Sequence, residues 1–287
     1  MSAATPKLVY RRQDVAAAVK RAAGRGLRLR LAGPHAAAVA AACGVDAVAV
    51  LGPHLPDAPA DVLATSPPAD AAAAGMLAAS DLPPLLTVDH FAHVELIAAE
   101  EWREPPRLLI ELSLGPTRFG GRPGRDAVDL ASVIAGTAGV SFGGLSAAVS
   151  STGMADSLLR TAEQIGAAGV AVPLISAAAG PEEMDGLPSG HEVRQAVPPA
   201  CVSATVLGRP SLETCVLNAG SASGLAVGAA VRLGRSPNRP ECEARVRGVE
   251  GGRSLLTIPA ESVEALIGDE VFVYDLEDAR ADAAAVV

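Results

Sequence analysis

Few side chains in this sequence are equipped for chemistry, and their spacing limits what each could do. Asp89, His90 and His93 fall together in DHFAH. Two histidines three apart on a helix, beside a carboxylate, could ligate a metal. Asp89 equally suits the N-cap of a helix that starts just after it, and that is the expectation, with no metal site. His35 and His54 read as solvated loop histidines. GRPGRD, Gly121 to Asp126, has the glycines and arginines of a phosphate loop. A turn launching a helix with Asp126 as its cap explains the same residues. Arg28 and Arg30 alternate with leucines in GLRLRL. Facing inward, Arg30 would need a carboxylate or phosphate partner; facing outward toward the helix layer is the expectation. Arg118 could hold an anion at a strand end, or pair with a helix or Glu111. Lysine occurs only at Lys7 and Lys20, so any amine nucleophile must come from one of them.

The background composition narrows the setting. Of 287 residues, 49% are hydrophobic but only 2% aromatic, so alanine, valine and leucine must fill the core. The net charge of −9 and the absence of a basic run leave no electrostatic footprint for a nucleic acid. Cys43, Cys201, Cys215 and Cys242 are far apart and form no CxxC pair. They read as buried free thiols of a reducing compartment. No signal-peptide pattern opens the sequence, and no apolar run reaches the ~18 residues of a membrane span. A cytoplasmic protein without a membrane partner is expected.

These residues must be positioned by alternating elements. Strands are expected at 27–31, 47–51, 61–64, 85–88, 107–114, 140–147 and 169–175. Helices are expected between them at 13–23, 36–42, 70–79, 91–101, 126–137 and 154–168. Continuous apolar runs separated by helices indicate buried parallel strands in an α/β architecture. Seven such units fit a (β/α)8-like barrel better than an open sheet, but no eighth is legible. An incomplete barrel would have to cover its edges. After Pro198 the texture becomes β-rich, with Gly, Pro, Asn and Ser turns, indicating a mostly antiparallel β domain. The expected organisation is a barrel over 11–197, a β domain over 198–275 with a possible strand at 7–10, and a tail over 276–287.

The segment LLIELSLGPTRFGGRPG, Leu108 to Gly124, resembles VLVEVDVGMGRCGVRPG of D-threonine aldolases and D-serine dehydratases. These are fold-type III pyridoxal-phosphate enzymes, grouped with alanine racemase. AVDLASVIAGTAGVSFGGLSA, Ala127 to Ala147, is similar to their ALALARAIAAAPGLRFAGLQA, and LLTVDHFAHVELI to LTVTVDSAENVEAL. ACVSATVLGRPSLETCVLNAGS, Ala200 to Ser221, is similar to the opening of their β domain, ALTVLATVISRPAPGRAVLDAGS. The likeness spans roughly residues 5 to 275 and is strongest in the middle third. It implies an alanine racemase-type barrel, shortened, followed by a β domain.

The resemblance also implies a cofactor-bearing lysine in a segment like RLRPHAKTHKSPEIA. Here Gly26 to Leu31 runs straight into Ala32, Gly33 and Pro34. An arginine, always protonated, cannot form the Schiff base. The family's strand aspartate falls at Ser113, its tyrosine and histidine at Ala148 and Ser151, and the aspartate of DAG at Asn218. Its phosphate loop SGGGTGT corresponds to SAAAGP, Ser176 to Pro181, leaving Ser176 and Gly180 as the candidate anion-binding residues. A phosphate cradle needs closely approaching backbone N–H groups, which three alanines hinder. The turn QPG is represented only by Glu192 to Ala196, and the family's C-terminal metal-binding His and Cys have no counterpart in 268–279. Arg118 alone matches, at the arginine beside the cofactor ring.

Three functions remain open. A pseudoenzyme would bind a partner or small anionic ligand without Schiff-base chemistry and without a cofactor. An active lyase or racemase on D-amino acids would hold pyridoxal phosphate through Lys20 or a rearranged site. A cofactor-free enzyme would reuse the barrel mouth with Arg118 and a histidine base. The resemblance implies a homodimer, or a heteromer with an active relative.

Overall fold

The computed structural model describes residues 7–10, 12–33, 36–50, 61–80, 85–115, 120–197, 201–219, 225–235, 241–259 and 269–274. These fall into two compact units, residues 12–197 and residues 1–11 with 198–287. Strand β1 (Lys7–Val9) belongs to the second unit.

The first unit is a closed barrel of parallel strands whose order around the barrel is their order in the chain. They are β2 (Arg28–Ala32), β3 (Ala47–Val50), β4 (Asp61–Ala64), β5 (Leu85–Val88), β6 (Arg107–Leu112), β7 (Ser141–Val149), β8 (Leu174–Ala179) and β9 (Glu192–Ala196). Outside them lie α1 (Arg12–Ala23), α2 (Ala36–Cys43), α3 (Ala71–Ala78), α4 (Phe91–Ala98), α5 (Arg125–Gly136) and α6 (Thr152–Ala167). A single 3-10 turn, Glu183–Gly186, connects β8 to β9.

Apolar spacing explains how the helices dock. α5 buries Ala127, Leu130, Ala131 and Ile134, and α6 buries Ala155, Leu158, Thr161 and Ile165. Both sets follow the three-and-four spacing of a single helix face. α3 starts where Asp70 accepts the Ala73 N–H at 2.8 Å, and α6 where Ser151 accepts that of Met154 at 3.3 Å. Two expected caps differ. His90, not Asp89, caps α4, its Nδ1 accepting the Ala92 N–H at 3.2 Å. Gly124, at φ +86°, is the N-cap of α5, which puts Asp126 inside the first turn, where its charge still favours the helix dipole.

The barrel has its eighth strand. Glu192–Ala196, read from sequence as the remnant of a turn, pairs with β8 on one side and β2 on the other. The strand expected at 169–175 is β8, displaced toward the C-terminus. Ser176 to Ala179 therefore extend a strand rather than form a loop. The close fit of β8 on β7 depends on Gly144. At φ +129° its added Cβ would sit 1.9 Å from the Leu174 carbonyl oxygen.

In the second unit, β10 (Cys201–Ser211), β11 (Thr214–Leu217), β14 (Arg253–Thr257), β13 (Cys242–Glu250), β12 (Ala230–Gly234) and β15 (Glu270–Tyr274) are neighbours in that order. β15 pairs back onto β10, closing an antiparallel sheet, and β1 adds antiparallel to β10 with Lys7 opposite Ser203. Alternate residues such as Val202, Ala204 and Val206 face its core. Among the described residues no helix is long and apolar enough to cross a membrane.

Candidate functional site at the mouth of the barrel

Strand register fixes what faces the barrel lumen. Ala49, Leu63, Leu85 and Leu109 form one buried cluster with Ala32 and Leu174 packed against it. Residues two further along each strand share that face. Beyond Leu109 comes Glu111, which lies beside Ser146; Ser146 lies beside Ser176, and Ser176 beside Glu192. Ala178 lies beside Arg194, and Arg194 beside Arg30.

Toward the N-terminal ends of the strands the lumen holds a saturated ionic network. Arg30 is fully buried. Its Nε and Nη2 donate to the two Glu192 carboxylate oxygens at 2.7 and 2.8 Å, and Nη1 donates to the Val48 and Asp61 carbonyls at 3.1 and 2.8 Å. Arg30 thus faces inward, contrary to the outward expectation, because Glu192 supplies a bidentate carboxylate that sequence spacing does not reveal. Arg28 adds ion pairs to Asp61 at 2.6 Å and Asp46 at 3.1 Å. Burial pushes the Asp61 carboxyl up, but the Arg30 charge and the Arg28 hydrogen bond outweigh it and hold it below its usual value. Nearby, His191 Nδ1 accepts the Ile175 N–H at 3.2 Å, and burial lowers its pKa.

Toward the C-terminal ends, the face that hosts the sites of such barrels, the polar groups are only partly matched. Glu111 Oε2 accepts a short hydrogen bond from Ser146 Oγ. Arg194 reaches across to donate from Nη2 to the Ala147 carbonyl at 3.0 Å, and stops 3.7 Å from Glu111 Oε2. Arg194 Nε and Ser176 Oγ are buried without a hydrogen-bond partner among the described residues. Above them the lumen walls are small: Ala32 and Ala178 are partly exposed, Ala148 and Ala196 exposed. Among the described residues, the upper lumen is walled by alanines above polar groups.

At the rim, Asp89 follows β5. Its Oδ2 accepts the Gly120 N–H at 3.1 Å, and its Oδ1 lies 2.9 Å from His93 Nδ1. His93 Nδ1 has no hydrogen-bond partner among the described residues, so this is a close approach and not a hydrogen bond. With His90 committed to its cap, the DHFAH histidines do not converge. Among the described residues no group of His, Cys, Asp and Glu is arranged to hold a metal.

The other expected site residues are dispersed. Lys20 is exposed on α1, in the outer helix layer. Ser176 lies in β8, and Gly180 directly after it. Arg118, His35 and His54 lie outside the described residues. Ser151 is a helix cap, and Ala148 lies in the upper-lumen wall. Sequence reasoning missed Arg194, Glu192 and Ser146 as lumen residues. The available signal was the alternation of EVRQA, a strand period with charged residues on one face.

No protein-family model matches the sequence, and none of the curated proteins matches it. Solved structures do match the fold. A D-threonine aldolase from Filomicrobium marinum superposes with TM-score 0.72 at 17% identity, over 96% of this chain and 88% of that one. An alanine racemase of Clostridium difficile 630 gives 0.68 at 11%, over 95% and 87%. The histidine racemase of Leuconostoc mesenteroides subsp. sake gives 0.62 at 11%, over 93% and 87%. The chain therefore has the alanine racemase-type fold, that of the fold-type III pyridoxal-phosphate enzymes.

Proposed function

We propose that this chain is a fold-type III relative that does without the lysine-linked cofactor and uses its barrel mouth for noncovalent binding. One observation carries the reading: no lysine stands at the C-terminal end of a barrel strand. β2 closes on Ala32, Lys20 sits exposed on α1, and no lysine follows Lys20 in the sequence. The residues present do not fit a covalently held pyridoxal phosphate. Ser176 to Ala179 are paired along β7 from Ser146 to Val149, so this stretch is committed to the ladder and not folded as an anion loop.

The test is to mix the purified chain with excess pyridoxal phosphate, record the visible spectrum, then reduce with borohydride and weigh the protein. No lysine-adduct band and no added mass are expected. An adduct on Lys20 that disappears in Lys20→Ala would establish instead a D-amino-acid lyase or racemase with a rearranged site. A cofactor-free enzyme is the second reading, favoured by the Asp89–His93 contact and by Glu111 in the upper lumen. It predicts turnover without cofactor that His93→Gln abolishes. The proposal includes a cytoplasmic location and assembly as a homodimer or with an active relative, the assembly read by mass under native conditions.

A further inference from the structure

We infer that the second unit carries a binding site of its own, at the β13–β14 turn, for a small zwitterion of about dipeptide size. A cavity of about 480 Å³ stands there, lined by Leu207, Asn218, Glu250, Gly251, Gly252 and Arg253. That volume lies toward the lower end of the ~300–1,000 Å³ of small-molecule sites. All six residues belong to the second unit, and the site stands whether or not the barrel holds a cofactor.

Charge selects the ligand. Glu250 and Arg253 are register partners flanking the two-residue turn, and both are exposed. Opposed side chains of an antiparallel pair have Cβ atoms about 5 Å apart, close enough for a carboxylate and a guanidinium to meet. Here they do not. Arg235 pairs with Glu241 at 2.9 Å, whereas Glu250 and Arg253 form no ion pair or side-chain hydrogen bond among the described residues. One positive and one negative group thus border the cavity, each with its charge unanswered. A ligand of one sign meets one attractive and one repulsive group; a zwitterion meets two attractive ones.

The rest of the wall is fixed on one side and open on the other. Asn218 Oδ1 accepts the Thr205 N–H at 2.7 Å, and the Asn218 N–H donates to the Thr205 carbonyl at 3.1 Å, which ties this side to β10. Leu207 supplies an apolar surface for the ligand's body. Gly251 needs its glycine for φ +56°. Gly252 lies outside the left-handed region, and an added Cβ would meet no atom within 4 Å. Neither a left-handed φ nor packing requires glycine at 252, and its missing side chain leaves the cavity open. The ligand's carboxylate belongs with Arg253, which can hold it through two N–H groups, and its ammonium with Glu250.

The probe is glycyl-leucine, titrated into the full chain by ligand-observed NMR. N-acetylglycyl-leucine and glycyl-leucinamide serve as forms that lack the ammonium or the carboxylate. Glycyl-leucine should bind saturably, and each blocked form about tenfold more weakly, the equivalent of one charged hydrogen bond. Arg253→Gln should weaken glycyl-leucine about tenfold and no longer distinguish it from the amide. Glu250→Gln should do the same for the acetylated form. Gly252→Val should abolish binding at an unchanged melting temperature. No saturable binding of glycyl-leucine would overturn the site. Equal binding of the blocked forms would overturn the zwitterion assignment. Binding unmoved by Arg253→Gln and Glu250→Gln would place the peptide elsewhere on the chain and overturn the site as well. Should Gly252→Val fail to fold, the two exposed charge variants decide the question. The borohydride experiment reads a lysine, and its outcome is separate from these titrations.

Discussion

The two ends of the barrel lumen are built from the same strands, yet they treat their arginines in opposite ways. At the N-terminal end Arg30 is saturated by Glu192, Asp61 and a backbone carbonyl of β3. At the C-terminal end Arg194, two strand positions beyond Glu192, has one carbonyl at hydrogen-bond distance and a carboxylate too far away. Nothing about an arginine dictates either outcome. A buried charge that is fully paired fixes the strands around it and has no capacity left for a ligand. One that is half paired keeps a vector for a ligand and contributes less to folding. The lower lumen thus ties the strands together, whereas the upper lumen leaves donors unmatched.

The largest effect expected from that contrast is in Glu192→Gln, which strips Arg30 of its bidentate charge partner. A loss of about 3–5 kcal/mol is expected, typical of a broken buried pair, read by denaturant unfolding. A loss no larger than that of an upper-lumen variant would break the comparison. Arg194→Met should cost much less, about 1 kcal/mol for a single hydrogen bond. The same unfolding measurement checks it.

Acidification sharpens the contrast from another side. His191 is held neutral by burial, so its folded pKa lies below the ordinary 6.5. Below that ordinary value the unfolded chain takes up a proton that the folded chain refuses. Its contribution is therefore present above about 6.5 and is lost as pH falls toward the folded value. Unfolding followed between neutral and mildly acid pH should show stability falling, with a shallower slope in His191→Gln. Protonation would also remove the acceptor of the Ile175 N–H. The smallest effect belongs to Ser176→Ala, expected to leave stability within about 0.5 kcal/mol of the parent or slightly above it. Thermal unfolding would read it.

Much of the architecture was legible in residue patterns. Runs such as Leu85–Val88, apolar but for Thr87 and buried at every position, announce parallel strands wherever both faces are covered. The β8–β9 region was not legible, for a physical reason. Glu192 and Arg194 face the lumen, and a strand that carries charges on its inner face breaks the apolar rule for buried strands. Their partners lie 162 positions away on β2, in the case of Glu192, and on β6 and β7, in the case of Arg194. The caps show the same limit on a smaller scale. Asp89 has the composition of an N-cap, but its carboxylate is drawn to Gly120 in a later loop, and His90 takes the cap.

The sequence by itself determined that the chain would form an alternating barrel followed by a β domain, and that only Lys7 and Lys20 could offer a side-chain amine. Both follow from local composition: apolar periodicity dictates elements, and an absent residue type cannot be supplied by folding. Only the tertiary structure decided that the barrel closes through Glu192–Ala196, that Arg30 turns inward, and that Arg194 and Ser176 are left with unmet donors. Those outcomes depend on which groups from distant strands come within hydrogen-bond reach. That distance is set by register and closure, which no local stretch of residues encodes.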